Sequence, residues 1–112
     1  MIDYIRDGTE IYTKSFATIR AEADLSSLPP DLESVAVRLI HSCGMTDIVA
    51  DLAASPGAAT CGRQALSAGA PILCDARMVA EGITRKRLPA DNPVICTLWH
   101  SEIPELARQI GN

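Results

Sequence analysis

The sequence predicts an α/β fold with a largely parallel sheet and flanking helices. Three observations carry that expectation. Two amphipathic helical patterns lead the chain, short apolar runs then alternate with helical stretches, and glycines and prolines punctuate each change of rhythm. Strands separated by helices need crossover connections, and crossovers bring strands together in parallel.

The opening tract alternates charge and bulk as a folded arm would. The first helix is expected over residues 8–23, because Ile11, Tyr12, Ser15, Phe16 and Ile19 fall on one side at helical spacing. Leu25 to Pro30 reads as a turn whose two prolines pre-set the next helix start. From Asp31 to about Ser42, a wide apolar face is formed by Leu32, Val35, Ala36, Leu39, Ile40 and Cys43, and Gly44 ends that helix. A short strand is expected over 48–54, although its alanines and aspartates suit a strand poorly.

Ser55-Pro56-Gly57 should open a helix reaching about Ala68, with Ser55 as N-cap, Pro56 at the first helical position and Gly69 as terminator. Residues 71–74 form a compact strand, and Asp75 can cap the helical turn through Met78 and Val79. A loop with Gly82, Pro89 and Asn92 leads to the clearest strand, 94–98. The last helix covers 101–110, with Gly111 at its end. Ligands of such sheets bind outside the carboxyl ends of the strands, so the loops after residues 54, 74 and 98 are site candidates. Three strands leave exposed edges, which points to a further half or a partner subunit.

At 112 residues the chain suffices for one small domain with a real core. Apolar residues make up 47% and charged residues 21%, a globular rather than disordered balance. A net charge of −4 and the lack of a basic stripe argue against nucleic acid as partner. Arg85-Lys86-Arg87 is the one basic cluster, either a solvated loop or a contact for acidic groups on a ligand. No apolar run approaches a membrane span and no signal peptide is recognisable, so the expected location is cytoplasmic, with no membrane partner. Cys43, Cys61, Cys74 and Cys96 are widely spaced among apolar or small neighbours, which reads as reduced, buried thiols and gives no metal site.

His41 is the leading candidate for proton chemistry. It sits near a helix C-terminus, one turn before a terminating glycine, where a protonatable ring meets the partial negative charge of the helix end. Pattern alone favours a packed, structural histidine. Ser15 alone would be a helix serine bonded to the preceding turn, Asp75 a cap in preference to a general acid or base, Met78 and Val79 as easily core as pocket, and Cys43 a small filler.

Ordered motifs change that balance. They are Asp3-Tyr4-Ile5-Arg6-Asp7-Gly8, Ile11-Tyr12 with Ser15-Phe16, Ile19-Arg20-Ala21-Glu22-Ala23, His41-x-Cys43-Gly44-Met45 and Ser55-Pro56-Gly57. Gly69-Ala70-Pro71-Ile72-Leu73-Cys74-Asp75-Ala76, Met78-Val79-Ala80 with Gly82-Ile83, and Val94-Ile95-Cys96-Thr97-Leu98 complete the set. With them the chain resembles the precorrin-8X methylmutases, the precorrin isomerases of corrin (cobalamin, vitamin B12) biosynthesis.

The resemblance implies an isomerase without cofactor that moves a methyl group from C-11 to C-12 of precorrin-8X, giving hydrogenobyrinate. It implies His41 as proton donor, Ser15 as a polar contact to the ligand, and Met78, Val79 and Gly82 as lining of the tetrapyrrole pocket. It further implies a homodimer and a three-layer, flavodoxin-like arrangement with a mostly parallel sheet. Relatives continue past Gly111-Asn112, so the chain is expected to be the N-terminal portion of a longer methylmutase domain. Arg77 departs from the acidic or small polar residue of many relatives, and Trp99-His100-Ser101-Glu102 departs from their charged turn. A tetrapyrrole-binding module without catalysis and a generic α/β oligomerisation domain are the other classes the sequence admits.

Overall fold

Asp7 starts the first element. Its Oδ1 accepts the backbone N–H of Glu10 at 2.8 Å, capping α1, Gly8–Glu22. The computed structural model describes residues 4–111, so Asp3 and Asn112 of the sequence motifs lie outside the described residues. After a turn through the two prolines comes α2, Glu33–Cys43, which Gly44 ends in the left-handed conformation at φ 73°. Next is a 3-10 helix, Thr46–Asp51, followed by α3, Ala58–Ser67. Strand β1, Ile72–Cys74, and helix α4, Arg77–Gly82, precede a 3-10 turn, Arg85–Arg87. Strand β2, Val94–Cys96, and helix α5, Ile103–Gln109, complete the order.

The chain divides into two compact units, Met1–Cys61 and Gly62–Asn112. The core of the first is Ile19, Val37, Ile40 and Val49, with Phe16, Ala23, Leu25, Leu28 and Ile48 packed against it. The stripe that α2 buries is therefore Ala36, Val37 and Ile40: Ala36 and Ile40 belong to the face expected from sequence, whereas Val35, Leu39 and Cys43 of that face are exposed. One helical position is about 100° of rotation, and the buried stripe is turned by part of that toward Val37. An Arg20–Glu33 ion pair at 3.1 Å joins the end of α1 to the start of α2 on the surface.

The strand expected over 48–54 is a 3-10 helix instead. Ile48, Val49 and Leu52 are the side chains turned at least partly inward, a helical rather than an alternating pattern. Nor does Ser55 cap α3. Ser55 to Ala58 form a turn closed by Ala58 N–H on the Ser55 carbonyl at 3.1 Å, with Gly57 at φ 75°. Proline followed by a positive-φ glycine is type II turn chemistry, and it postpones the helix to Ala58. The free N–H of Thr60 is met from a distance: Asp31 Oδ2 accepts it at 3.1 Å and accepts the Thr60 hydroxyl at 3.2 Å.

In the second unit, Gly69 ends α3 as expected. Its N–H bonds to Leu66 and that of Ala70 to Ala65, the paired bonds of a Schellman cap. Strands β1 and β2 pair in parallel, Ile72 opposite Val94 and Cys74 opposite Cys96. The fold is thus α/β with a parallel two-stranded sheet among the described residues. Asn92 is the buried polar anchor. Its Nδ2 donates to the carbonyls of Leu66 and Ala70, both at 2.8 Å, and its Oδ1 accepts from Ala90 N–H at 3.3 Å. The loop before β2 is thereby tied to the end of α3.

Two further expectations need correction. Asp75 does not cap α4, whose N-cap is Ala76 with no side-chain bond. All four cysteines are free, but Cys43 and Cys61 are exposed and only Cys74 is buried. No helix among the described residues is long and apolar enough to cross a membrane.

Candidate active site

Helix α1 presents Tyr12, Ser15 and Phe16 on one face, because positions i, i+3 and i+4 stack along a helix. Helix α2 brings His41 to that face from its last turn. The Ser15 Oγ and His41 Nδ1 lie 2.7 Å apart, a half-buried hydrogen bond between residues 26 apart in sequence. The imidazole is walled by aromatics. Tyr12 lies at 5.0 Å with its plane tilted 36°, and Phe16 stands edge-on at 5.3 Å and 87°. Tyr12 and Phe16 also meet each other edge-on at 5.7 Å. Behind them Arg38, one turn before His41, holds its guanidinium 5.3 Å from the Phe16 ring centre.

This arrangement restricts what His41 can do. With Nδ1 engaged by Ser15, Nε2 is the nitrogen left for chemistry. In the cationic ring both nitrogens donate: Nδ1–H bonds to the serine oxygen and Nε2–H is available for transfer. Once that proton leaves, the neutral ring keeps Nδ1–H and the same bond to Ser15. A ring starting neutral with its hydrogen on Nε2 would have to depart as an imidazolate. The serine hydroxyl, which rotates and can donate or accept, serves as the acceptor in the productive form. The contact that Ser15 makes within the described fold is therefore with His41.

Of the other residues expected at the site, Met78 and Val79 are exposed on α4, and Gly82 is its exposed last residue. They belong to the second unit, whereas Ser15 and His41 belong to the first. Met78 and Val79 are surface residues rather than core, Met78 being 84% accessible. Tyr12 and Phe16 were legible as an apolar helix face, but the enclosure of His41 was not. Arg38 was missed, although its position one turn before His41 was a usable signal. In the first unit an open concavity of about 880 Å³ is lined by Tyr4, Ile5, Arg6, Asp7, Glu10, Ile11 and Lys14. Ile11 and Lys14 in it are the helix neighbours of Tyr12 and Ser15.

The precorrin-8X methylmutase (CbiC) family model matches residues 10–112. A precorrin-8X methylmutase of Pseudomonas aeruginosa is 67% identical over 112 residues, all of this chain and 54% of the relative. One of Sinorhizobium sp is 56% identical over 110 residues, 98% of this chain and 52% of the relative. The crystal structure of precorrin-8x methyl mutase from Thermus thermophilus superposes with a TM-score of 0.79 at 36% identity, covering 91% of this chain and 50% of that one. The chain therefore spans about half the length of these relatives.

Proposed function

The chain belongs to the precorrin-8X methylmutase family, and from that premise we propose that it serves as an isomerase of corrin biosynthesis. Its reaction moves a methyl group from C-11 to C-12 of precorrin-8X and yields hydrogenobyrinate. The bond from methyl to C-11 breaks as the bond to C-12 forms, so substrate and product are isomers and no electrons are gained or lost. Such a shift needs a macrocycle held in one geometry and a proton delivered where charge develops.

His41 is the proton donor in this reading, and one observation carries it: the 2.7 Å contact between Ser15 and Nδ1 that leaves Nε2 free. Tyr12 and Phe16 flank the ring at 5.0 and 5.3 Å and limit its rotation about the Cβ–Cγ bond. Met78, Val79 and Gly82 contact the tetrapyrrole from α4. No cofactor takes part. In the proposed whole, the segment is the N-terminal part of a methylmutase domain with a three-layer, flavodoxin-like sheet, working as a cytoplasmic homodimer.

The second reading, a tetrapyrrole-binding module without catalysis, is favoured by the half-length coverage of the relatives. A visible-spectrum titration with hydrogenobyrinate, followed by incubation with precorrin-8X, separates the two. Binding with conversion supports the isomerase; binding without conversion supports the module. No spectral change with either ligand would reject both.

A further inference from the structure

The register of the sheet sets two thiols side by side. Strands β1 and β2 run parallel with Ile72 opposite Val94, Leu73 opposite Ile95 and Cys74 opposite Cys96. Side chains alternate between the two faces along a strand, so residues directly opposed share a face. Exposure follows that alternation. Leu73 and Ile95 are 76% and 40% accessible on one face, whereas Cys74 is buried and Cys96 half-buried on the other. Both thiols are free, and neither takes part in the chemistry assigned to His41.

The spacing fits a bond between them. Neighbouring strands lie about 4.8 Å apart, inside the Cα separation of about 4.4–6.8 Å that a disulfide spans. The Cβ atoms of a disulfide sit about 3.8 Å apart, so closing this pair draws the strands together by about 1 Å. Each cysteine is the last residue of its strand, where the backbone yields without disturbing the ladder behind it. Among the described residues no three His, Cys, Asp or Glu side chains gather as metal ligands. Two thiols without further ligands suit disulfide exchange better than a structural zinc ion, which takes four.

We infer that Cys74 and Cys96 form a dithiol site that exchanges with low-molecular-weight disulfides of the oxidised-glutathione class. The thiolate of Cys96, the more accessible of the two, attacks one sulfur of the oxidant. A mixed disulfide forms on Cys96 and one glutathione thiolate leaves. The Cys74 thiolate then attacks the Cys96 sulfur, the internal S–S bond forms and the second glutathione thiolate leaves. The two protein thiols give up two electrons and two protons, and the oxidant, taking both, becomes two glutathione thiols. Excess dithiothreitol reverses the exchange. The bond clasps the carboxyl ends of β1 and β2, the edge from which the chain departs toward α4 and α5.

The test uses the full chain with Cys43→Ala and Cys61→Ala, two exposed positions, which leaves only the strand thiols. The same background carrying Cys74→Ala or Cys96→Ala supplies the single-thiol controls. Each protein, its fold checked by far-ultraviolet circular dichroism, is incubated with excess oxidised glutathione and read by intact mass and peptide mapping. The two-thiol chain is expected to lose two hydrogens and to yield a linked Cys74–Cys96 peptide that dithiothreitol separates. Cys74→Ala should retain one glutathione on Cys96, and Cys96→Ala should react more slowly because its remaining thiol is buried. The unsubstituted chain should give the same linked peptide, which keeps the test independent of the substitutions. A two-thiol chain that keeps glutathione on Cys96, forms a disulfide between chains or stays reduced overturns the site, as does absence of the linked peptide from the unsubstituted chain.

Discussion

Replacing Ser15 by alanine removes one hydrogen bond and little else. The hydroxyl is half-buried and its 2.7 Å contact with His41 Nδ1 is the bond that leaves Nε2 unengaged. Alanine keeps the helix, since it is the best helix former, and leaves Tyr12 and Phe16 in place. In the proton-donating form the ring is cationic, and a hydrogen bond to a charged group contributes about 1.5–3 kcal/mol. Lost wholly from the transition state, that is roughly a 10- to 100-fold fall in kcat. KM for precorrin-8X should change little, because the lost bond is internal to the protein. The assay follows hydrogenobyrinate formation by visible absorbance at saturating substrate, with hydrogenobyrinate affinity measured in parallel. Ser15→Thr, which restores a hydroxyl, should recover part of the loss. An Ser15→Ala variant with unchanged kcat, or one whose loss lies entirely in KM, would refute the positioning role.

Other expectations concern the frame around the site. Asp31→Ala removes the distant cap of α3 and should cost about 0.5–2 kcal/mol of stability, seen as a lower urea midpoint with the slope unchanged. Asn92→Leu strips three hydrogen bonds from a 4% accessible position and leaves buried carbonyls unmet, so about 1–3 kcal/mol or more should be lost in the same measurement. Asp24 has its carboxyl held below the ordinary range, first by the Ser26 hydroxyl and then by the Ser26 N–H. That interaction stabilises the fold above the usual carboxylate range and fades as pH falls through the lowered value. The stability gap between the unmodified chain and Asp24→Asn should accordingly be small at neutral pH and close in acid, as urea titrations at several pH values would show.

Local signals were the legible part of this fold. Gly44 and Gly69 stop helices where the sequence indicates, because each supplies the positive φ that a C-terminal cap requires. Both strands begin within one residue of expectation, each following directly on a proline, Pro71 or Pro93. What failed were features decided at a distance. The 48–54 stretch contains β-branched residues, yet packing of Val49 against Ile19, Val37 and Ile40 selects a 3-10 helix. Ser55 has the right chemistry for a cap, but Pro56-Gly57 turns the chain first and Asp31 supplies the bond from 29 residues away. The site divides likewise. His41 stood out from its place at a helix end, but Ser15 was singled out by family resemblance, since spacing along α1 cannot reveal a partner on α2. Asn92 looked like a loop residue, and its anchoring role depends on two carbonyls brought together only by the folded chain.

In the proposed reaction His41 delivers the proton on which the methyl shift depends. The most direct measurement compares the unmodified protein with His41→Ala, following precorrin-8X conversion and hydrogenobyrinate binding side by side. Conversion by the unmodified protein, loss of that conversion in His41→Ala, and product binding that survives in both are the expected results. Undiminished conversion by His41→Ala would contradict that role.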